Sequence, residues 1–154
     1  MGAQEKLDQI AGILSRGEVP FQKREDGQEY RILFGSTAVM LSVSDDGDAT
    51  AVHLKSPVVV KVDFDDEEIF GKAHMVANSL NRENYFVKFC VYDHYLAAEL
   101  DLLGDDLQGS ELMNGLRTLA EAADGVDDAI ADELRGMTYE KFTETGGTQP
   151  VTEM

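Results

Sequence analysis

Two periods of hydrophobicity divide this chain, and the order in which they occur limits how it can fold. Apolar side chains recur every three or four residues over about 3–16, 66–81 and 110–135, a spacing typical of amphipathic helices. In the segments between them, apolar and polar residues alternate, as they do in strands with one buried face. Since the strands are grouped and do not alternate one by one with helices, we predict an α+β fold with a mainly antiparallel sheet.

The connections between the strands carry clear local signals. The run Asp45–Asp48 is typical of a hairpin turn, and Asp93-His94 joins a second hairpin over residues 85–103. Ser56-Pro57 is expected to end one strand before the β-branched run Val58–Val62 forms another. The predicted order of elements is therefore α-β-β-β-β-α-β-β-α, with three helices.

The length of the chain bounds the number of domains. At 154 residues it fits one domain and can bury a core without disulfides or metal ions. Gly136 is expected to end the last helix, so we predict a single domain over residues 1–136. Residues 137–154, with Gly-Gly, Pro and several Thr, are expected to form a loosely held tail.

The charge of the chain excludes some partners. Thirty acidic residues against 13 basic ones give a formal charge of −17, which repels phosphate backbones and anionic lipid. We therefore expect neither nucleic-acid binding nor an electrostatic membrane anchor. The acidity fits plain solubility, attraction to a basic partner, or adaptation to high salt. The N-terminal segment lacks a signal-peptide pattern and no apolar run is long enough to span a bilayer, so the expected compartment is the cytoplasm.

Motifs for catalysis or metal binding are missing from the sequence. His53, His74 and His94 lack the spacing of a metal site, and the acidic turn at Asp45–Asp48 fails the EF-hand ligand pattern. Cys90 lies among apolar residues, where a buried structural thiol is expected. We therefore predict no cofactor, no metal site and no enzymatic activity. An enzyme with dispersed carboxylates is the least favoured alternative.

The hairpin at 85–103 supplies the candidate binding residues. One face carries Val87, Phe89, Val91, Leu96, Ala98 and Leu100, and we assign it to the core. The other face is more apolar than a solvated face should be. Either the N-terminal segment or the tail folds over it, or a second subunit covers it. The residues proposed for a partner or dimer contact are Phe86, Cys90, Tyr92, Tyr95 and Ala97.

Several segments in this order resemble a known family. They are Val58–Asp63, the helix end Ala77–Asn81, the hairpin 85–103 and the Leu/Ala-rich helix through Leu116–Asp124. Together they resemble the YbjN-type family, whose members are similar in fold to type III secretion chaperones. The resemblance covers roughly residues 5–135 and implies a dimer-forming, non-enzymatic, regulatory or chaperone-like protein. It supplies no catalytic residues.

Two functional hypotheses follow from these observations. The leading one is a non-enzymatic protein-binding module, chaperone-like or a regulatory adaptor, that acts as a homodimer on a basic or partly unfolded partner. The alternative is a small-molecule-binding sensor with an aromatic-lined pocket on the sheet, formed by Tyr85, Tyr92 and Tyr95.

Overall fold

The computed structural model describes residues 2–35 and 37–145. Over these residues the protein has the predicted α+β fold, with helices packed on an antiparallel sheet. The described elements, in chain order, are α1 Ala3–Arg16, β1 Phe21–Lys23, β2 Glu29–Phe34, β3 Thr37–Asp45, β4 Thr50–Val60, α2 Glu67–Glu83, β5 Lys88–Val91, β6 Leu96–Leu103, α3 Gly109–Asp124, α4 Asp127–Leu134, β7 Met137–Thr138 and α5 Tyr139–Glu144.

The sheet has the strand order β1-β2-β3-β4-β6-β5, and β7 pairs with the end of β4. All these pairings are antiparallel. Helices α1 to α4 share one apolar core with one face of the sheet, which we call the first face. The opposite face is called the second face. Leu14, Leu116 and Leu134 are fully buried in that core, which is why the helical periodicity in the sequence is strong.

The prediction that Ser56-Pro57 ends a strand is wrong. Strand β4 runs from Thr50 to Val60 through Pro57, and the register with β6 shifts between Pro57 and Val59. A bulge is one of the few positions where a sheet accommodates a proline, since the ring leaves no N–H for the ladder. The β-branched run therefore continues the preceding strand.

The predicted third helix over 110–135 is two helices. Helix α3 ends at Asp124, and Val126, with φ of −128°, leaves the helical region before α4 begins at Asp127. Asp127 and Asp128 lie in the first turn of α4, where carboxylates favour a helix start. The apolar stripe continues across the break, so spacing alone did not reveal it.

The C-terminal segment also differs from the prediction of a loose tail. Residues 137–138 pair with β4, and α5 packs Tyr139 and Phe142 against the second face of the sheet. Thr138 caps this short helix by accepting a hydrogen bond from Lys141 N–H at 3.3 Å. Residues 146–154 of the predicted tail lie outside the described residues.

Candidate partner-binding surfaces

The second face of the sheet holds four of the five proposed contact residues. Tyr95 and Ala97 form a small apolar cluster there with Tyr139 and Phe142 of α5. Both side chains are buried within the chain. Helix α5 therefore covers a part of this face for which a second subunit was the alternative cover. Around Tyr95 and Ala97, the cover is thus the C-terminal segment of the same chain, which was one of the alternatives predicted for this face.

Tyr92 is half-buried at the margin of that cluster. Its ring stacks on the Tyr95 ring, with centroids 4.7 Å apart, and Lys55 Nζ lies 4.1 Å from the centroid of the Tyr92 ring. The Tyr92 hydroxyl donates a hydrogen bond to Glu99. Burial and the Glu99 carboxylate raise the pKa of Tyr92, and burial with the Glu99 and Asp93 charges raises the pKa of Tyr95 to about 12. Both phenols are therefore neutral at physiological pH.

Cys90 lies beside these tyrosines and is half-buried. Burial, together with the neighbouring Glu99 charge, raises the pKa of its thiol. The thiol therefore stays protonated near neutral pH and is a poor nucleophile, as expected for a structural cysteine.

Beyond the tyrosines the second face is polar. His53 Nδ1 donates to Asp101 at 2.8 Å, its Nε2 lies 2.9 Å from Ser44 Oγ, and Lys88 Nζ donates to the other Asp101 oxygen at 3.2 Å. Burial acts against the Asp101 charge, but the bonds from His53 and Lys88 prevail and lower its pKa. This serine–histidine–aspartate order was missed in the sequence, because its members come from three strands. Since Lys88 shares the carboxylate, we interpret it as a solvated cross-strand ladder.

Phe86 does not join the other proposed residues. It is 78% exposed and lies at the β5 edge of the sheet, where the chain approaches α3. There it lines a groove of about 320 Å³, which we name the Phe86 groove. Tyr85 is 95% exposed and does not converge with Tyr92 and Tyr95 on a pocket. The groove is lined by Phe86, Leu100, Asp101, Leu102, Glu111, Asn114, Gly115 and Thr118.

An open stretch of strand β6 borders the Phe86 groove. The ladder between β5 and β6 ends at Lys88–Glu99, while β6 continues to Leu103. Gly104 N–H donates to Thr50 O, so Thr50 and Gly104 form a hydrogen-bonded pair. From there, hydrogen-bonded and non-hydrogen-bonded pairs alternate along the β4–β6 ladder. By that alternation the main-chain groups of Asp101 and Leu103 point away from β4. These main-chain groups face the side of β6 on which β5 lies, but the β5 ladder ends before it reaches them.

The neighbouring edge of β5 is closed by a side chain. Asn81 Nδ2 donates to Phe89 O at 3.0 Å, and Phe89 N–H donates to Asn81 Oδ1 at 2.6 Å. The amide of Asn81 thus takes the place of a paired strand. Proteins cover exposed strand edges in such ways, because unpaired main-chain groups recruit other chains. The Asn81 amide covers the edge of β5, whereas β5 does not pair with the end of β6. We therefore interpret β6 beside Phe86 as an edge open to an added strand.

A family model matches residues 5–141 of this chain. It describes peptide-binding chaperones of the type III secretion (YopN, CesT) and YbjN kind, under the name TY-Chap1. The chain belongs to this family. The resemblance drawn from the helix end at Asn81 and the hairpin 85–103 is therefore confirmed.

Solved structures agree with this family assignment at the level of the fold. YbjN from E. coli superposes with a TM-score of 0.65 at 14% identity, over 86% of this chain and 95% of YbjN. The Yersinia pestis chaperone SycH, solved with a fragment of YscM2, gives 0.55 at 12% identity over 78% and 98%. ExsC, solved with ExsE, gives 0.56 at 18% identity over 82% and 92%. A search of curated protein sequences finds no match.

No helix within residues 2–35 and 37–145 combines the length and apolar character needed to cross a membrane.

Proposed function

We propose that this protein is a non-enzymatic, chaperone-like or regulatory adaptor that holds an extended segment of a protein partner. The open β6 edge beside the Phe86 groove carries the proposal. An added strand would bond to the main chain of Asp101 and Leu103, and an alternate side chain would enter the groove between Phe86 and Leu102. Glu111, which lines the groove, favours a segment with a basic residue beside its apolar anchor.

The same observations support the rest of the proposal. The acidic surface disfavours nucleic acid and suits basic or partly unfolded protein segments. A single cysteine, with a thiol of raised pKa, suits a reducing compartment, and we place the protein in the cytoplasm. The second face has a pocket of about 390 Å³ beside Tyr95, but most of its lining residues are polar or charged, which disfavours the aromatic-lined pocket of the sensor hypothesis.

Selection from a random-peptide phage library tests the binding function. Immobilised protein is expected to enrich sequences that alternate apolar and polar residues, because a strand buries every second side chain. Phe86→Asp is expected to weaken binding of the selected peptides about tenfold or more, since it removes an exposed aromatic wall of the groove and adds charge. Met75→Asp is the matched control, because Met75 is 73% exposed but lies outside the groove. Equal binding by the Phe86 variant would show that the peptides bind elsewhere.

We further propose that the protein acts as a homodimer through an aromatic patch on α2. Phe70 is 48% exposed and packs against Phe64 at 5.9 Å and His74 at 4.4 Å, measured between ring centroids. Aromatic side chains are enriched in interface cores, and this patch lies outside the Phe86 groove.

Light scattering at tens of micromolar is expected to give twice the chain mass. Phe70→Asp should shift the protein to monomer with an unchanged circular-dichroism spectrum, because a charge would be desolvated in the contact. Met75→Asp should remain dimeric, since five residues along α2 place that side chain on another face. A monomeric unmodified protein would end the dimer proposal and leave the peptide site untouched.

A further inference from the structure

The segment between α2 and β5 has the sequence of a strand but is not paired as one. Tyr85, Phe86 and Val87 are aromatic or β-branched, which are the residue types enriched in strands. The ladder between β5 and β6 nevertheless stops at the pair Lys88–Glu99. Val87 is buried, whereas Tyr85 and Phe86 are largely exposed. A segment whose local preference conflicts with its structure, next to an open strand edge, is a candidate for a second conformation.

The register of the ladder fixes where this segment would pair. The last pair is Lys88–Glu99, so two further steps place Phe86 opposite Asp101. Hydrogen-bonded pairs recur at every second position from the pair Tyr92–Tyr95, in which Tyr92 N–H donates to Tyr95 O. Phe86 and Asp101 would therefore form a hydrogen-bonded pair. The main-chain groups of Asp101 that point away from β4 are the ones that Phe86 would meet.

The same register brings together side chains that are now exposed. Val87 packs in the core on the first face, so Tyr85, two residues earlier, would point to that face as well. There its ring would lie over Leu102, in the space that a partner's anchor would use. Phe86 would turn to the second face, diagonal to Leu103, which is 74% exposed. Closing would thus reduce the exposure of Tyr85, Phe86 and Leu103 together.

The end of helix α2 limits how far the segment can close. The Asn84 main-chain N–H and Asn84 Nδ2 both donate to Leu80 O, at 3.0 and 2.8 Å. Because Asn84 is held on the helix, pairing would stop at Tyr85 and leave Leu103 unpaired. The hydrogen bonds gained and the entropy lost on ordering two residues are of similar size, so neither form excludes the other.

We propose that residues 85–87 form a strap that closes the open edge of β6, and that a partner segment binds only when the strap is out of the ladder. The structure shows the open form. In the closed form Phe86 N–H donates to Asp101 O, Asp101 N–H donates to Phe86 O, and Tyr85 covers Leu102. The regulatory role rests on the peptide site proposed above, whereas the closing does not depend on it.

Disulfide trapping detects the closed form. All variants carry Cys90→Ala, so the introduced pair supplies the only thiols. Tyr85→Cys with Leu102→Cys should oxidise under native conditions, because opposite residues of a non-hydrogen-bonded pair have Cα atoms about 4.5 Å apart, within the range of a disulfide. Met75→Cys with Leu102→Cys is the control and should stay reduced, since Met75 is also exposed but lies within α2. Oxidation of the 85–102 pair no faster than the control would overturn the proposal.

The unmodified protein gives a second readout that does not depend on the folding of the variants. A nuclear Overhauser effect between the Hα protons of Tyr85 and Leu102 is expected, because residues of a non-hydrogen-bonded pair approach most closely there. Absence of this effect would overturn the closed form even if the cysteine variants failed to fold.

Peptide binding tests the regulatory role. The oxidised 85–102 variant should bind a library-selected peptide at least about tenfold more weakly than its own reduced form, because the disulfide removes the binding-competent form. Equal binding by the two forms would overturn regulation by the strap. If no selected peptide binds the unmodified protein, the peptide site fails and the regulatory role falls with it, whereas oxidation of the 85–102 pair still supports closing.

Discussion

Replacing Gly136 with alanine is expected to detach α5 from the sheet. A Cβ at this position would lie 2.6 Å from Val59 Cγ1 and 2.9 Å from both Val60 O and Val62 Cγ2. Two of these three neighbours are buried core side chains and the third is backbone, so little can move aside. We expect a loss of about 3 kcal/mol in the free energy of unfolding, at the upper end for overpacked sites.

Urea unfolding measures this loss, and limited proteolysis locates it. Cleavage should appear within residues 137–145, because release of α5 uncovers the cluster around Tyr95 and Ala97. Gly71→Ala is the control, since no atom lies within 4 Å of its added Cβ and it sits inside α2. That change should stabilise the protein by roughly 0.5–1 kcal/mol. Full stability of Gly136→Ala would refute the packing described for the C-terminal segment.

Replacing Asn81 with alanine is expected to cost about 2 kcal/mol, because two hydrogen bonds to the main chain of buried Phe89 are lost together. The change also unmasks the outer edge of β5, so we expect concentration-dependent aggregation of the variant. Asn78→Ala is the matched control on the same helix, since Asn78 is exposed like Asn81 but its side chain does not share the hydrogen bonds to Phe89. It should change stability by less than about 0.5 kcal/mol. Equal effects at both positions would mean that Asn81 acts as an ordinary surface residue.

The sequence predicted the parts of the fold that have a long or strongly local signal. The stripe through Leu116 and Leu119 spans several turns, and the hairpin turn at Asp45–Asp48 has Gly47 at φ of 93° with Asp45 Oδ1 accepting from its N–H. The helix end at Asn81 was one of the segments that carried the family resemblance, and the Asn81 side chain bonds to Phe89 eight residues later. These features depend on residues that are close in sequence.

The missed features depend on long-range pairing or on very short elements. Helix α5 offers only Tyr139 and Phe142 as an apolar pair, which is a single turn and too short to show a period. The Phe86 groove exists because residues 85–87 do not extend the ladder with β6, although the alternation predicted a strand from Tyr85. No local residue pattern specifies where a ladder stops, so sequence reasoning placed Phe86 on the wrong surface.

Hydrogen exchange of individual amides, with and without a library-selected peptide, tests the central claim most directly. If an extended segment adds to the open edge of β6, the amides of Asp101 and Leu103 should exchange at least about tenfold more slowly in the complex. Amides of β1, at the opposite edge of the sheet, should keep their exchange rates. Protection at β1 or on the second face, with Asp101 and Leu103 unchanged, would contradict the proposed peptide site.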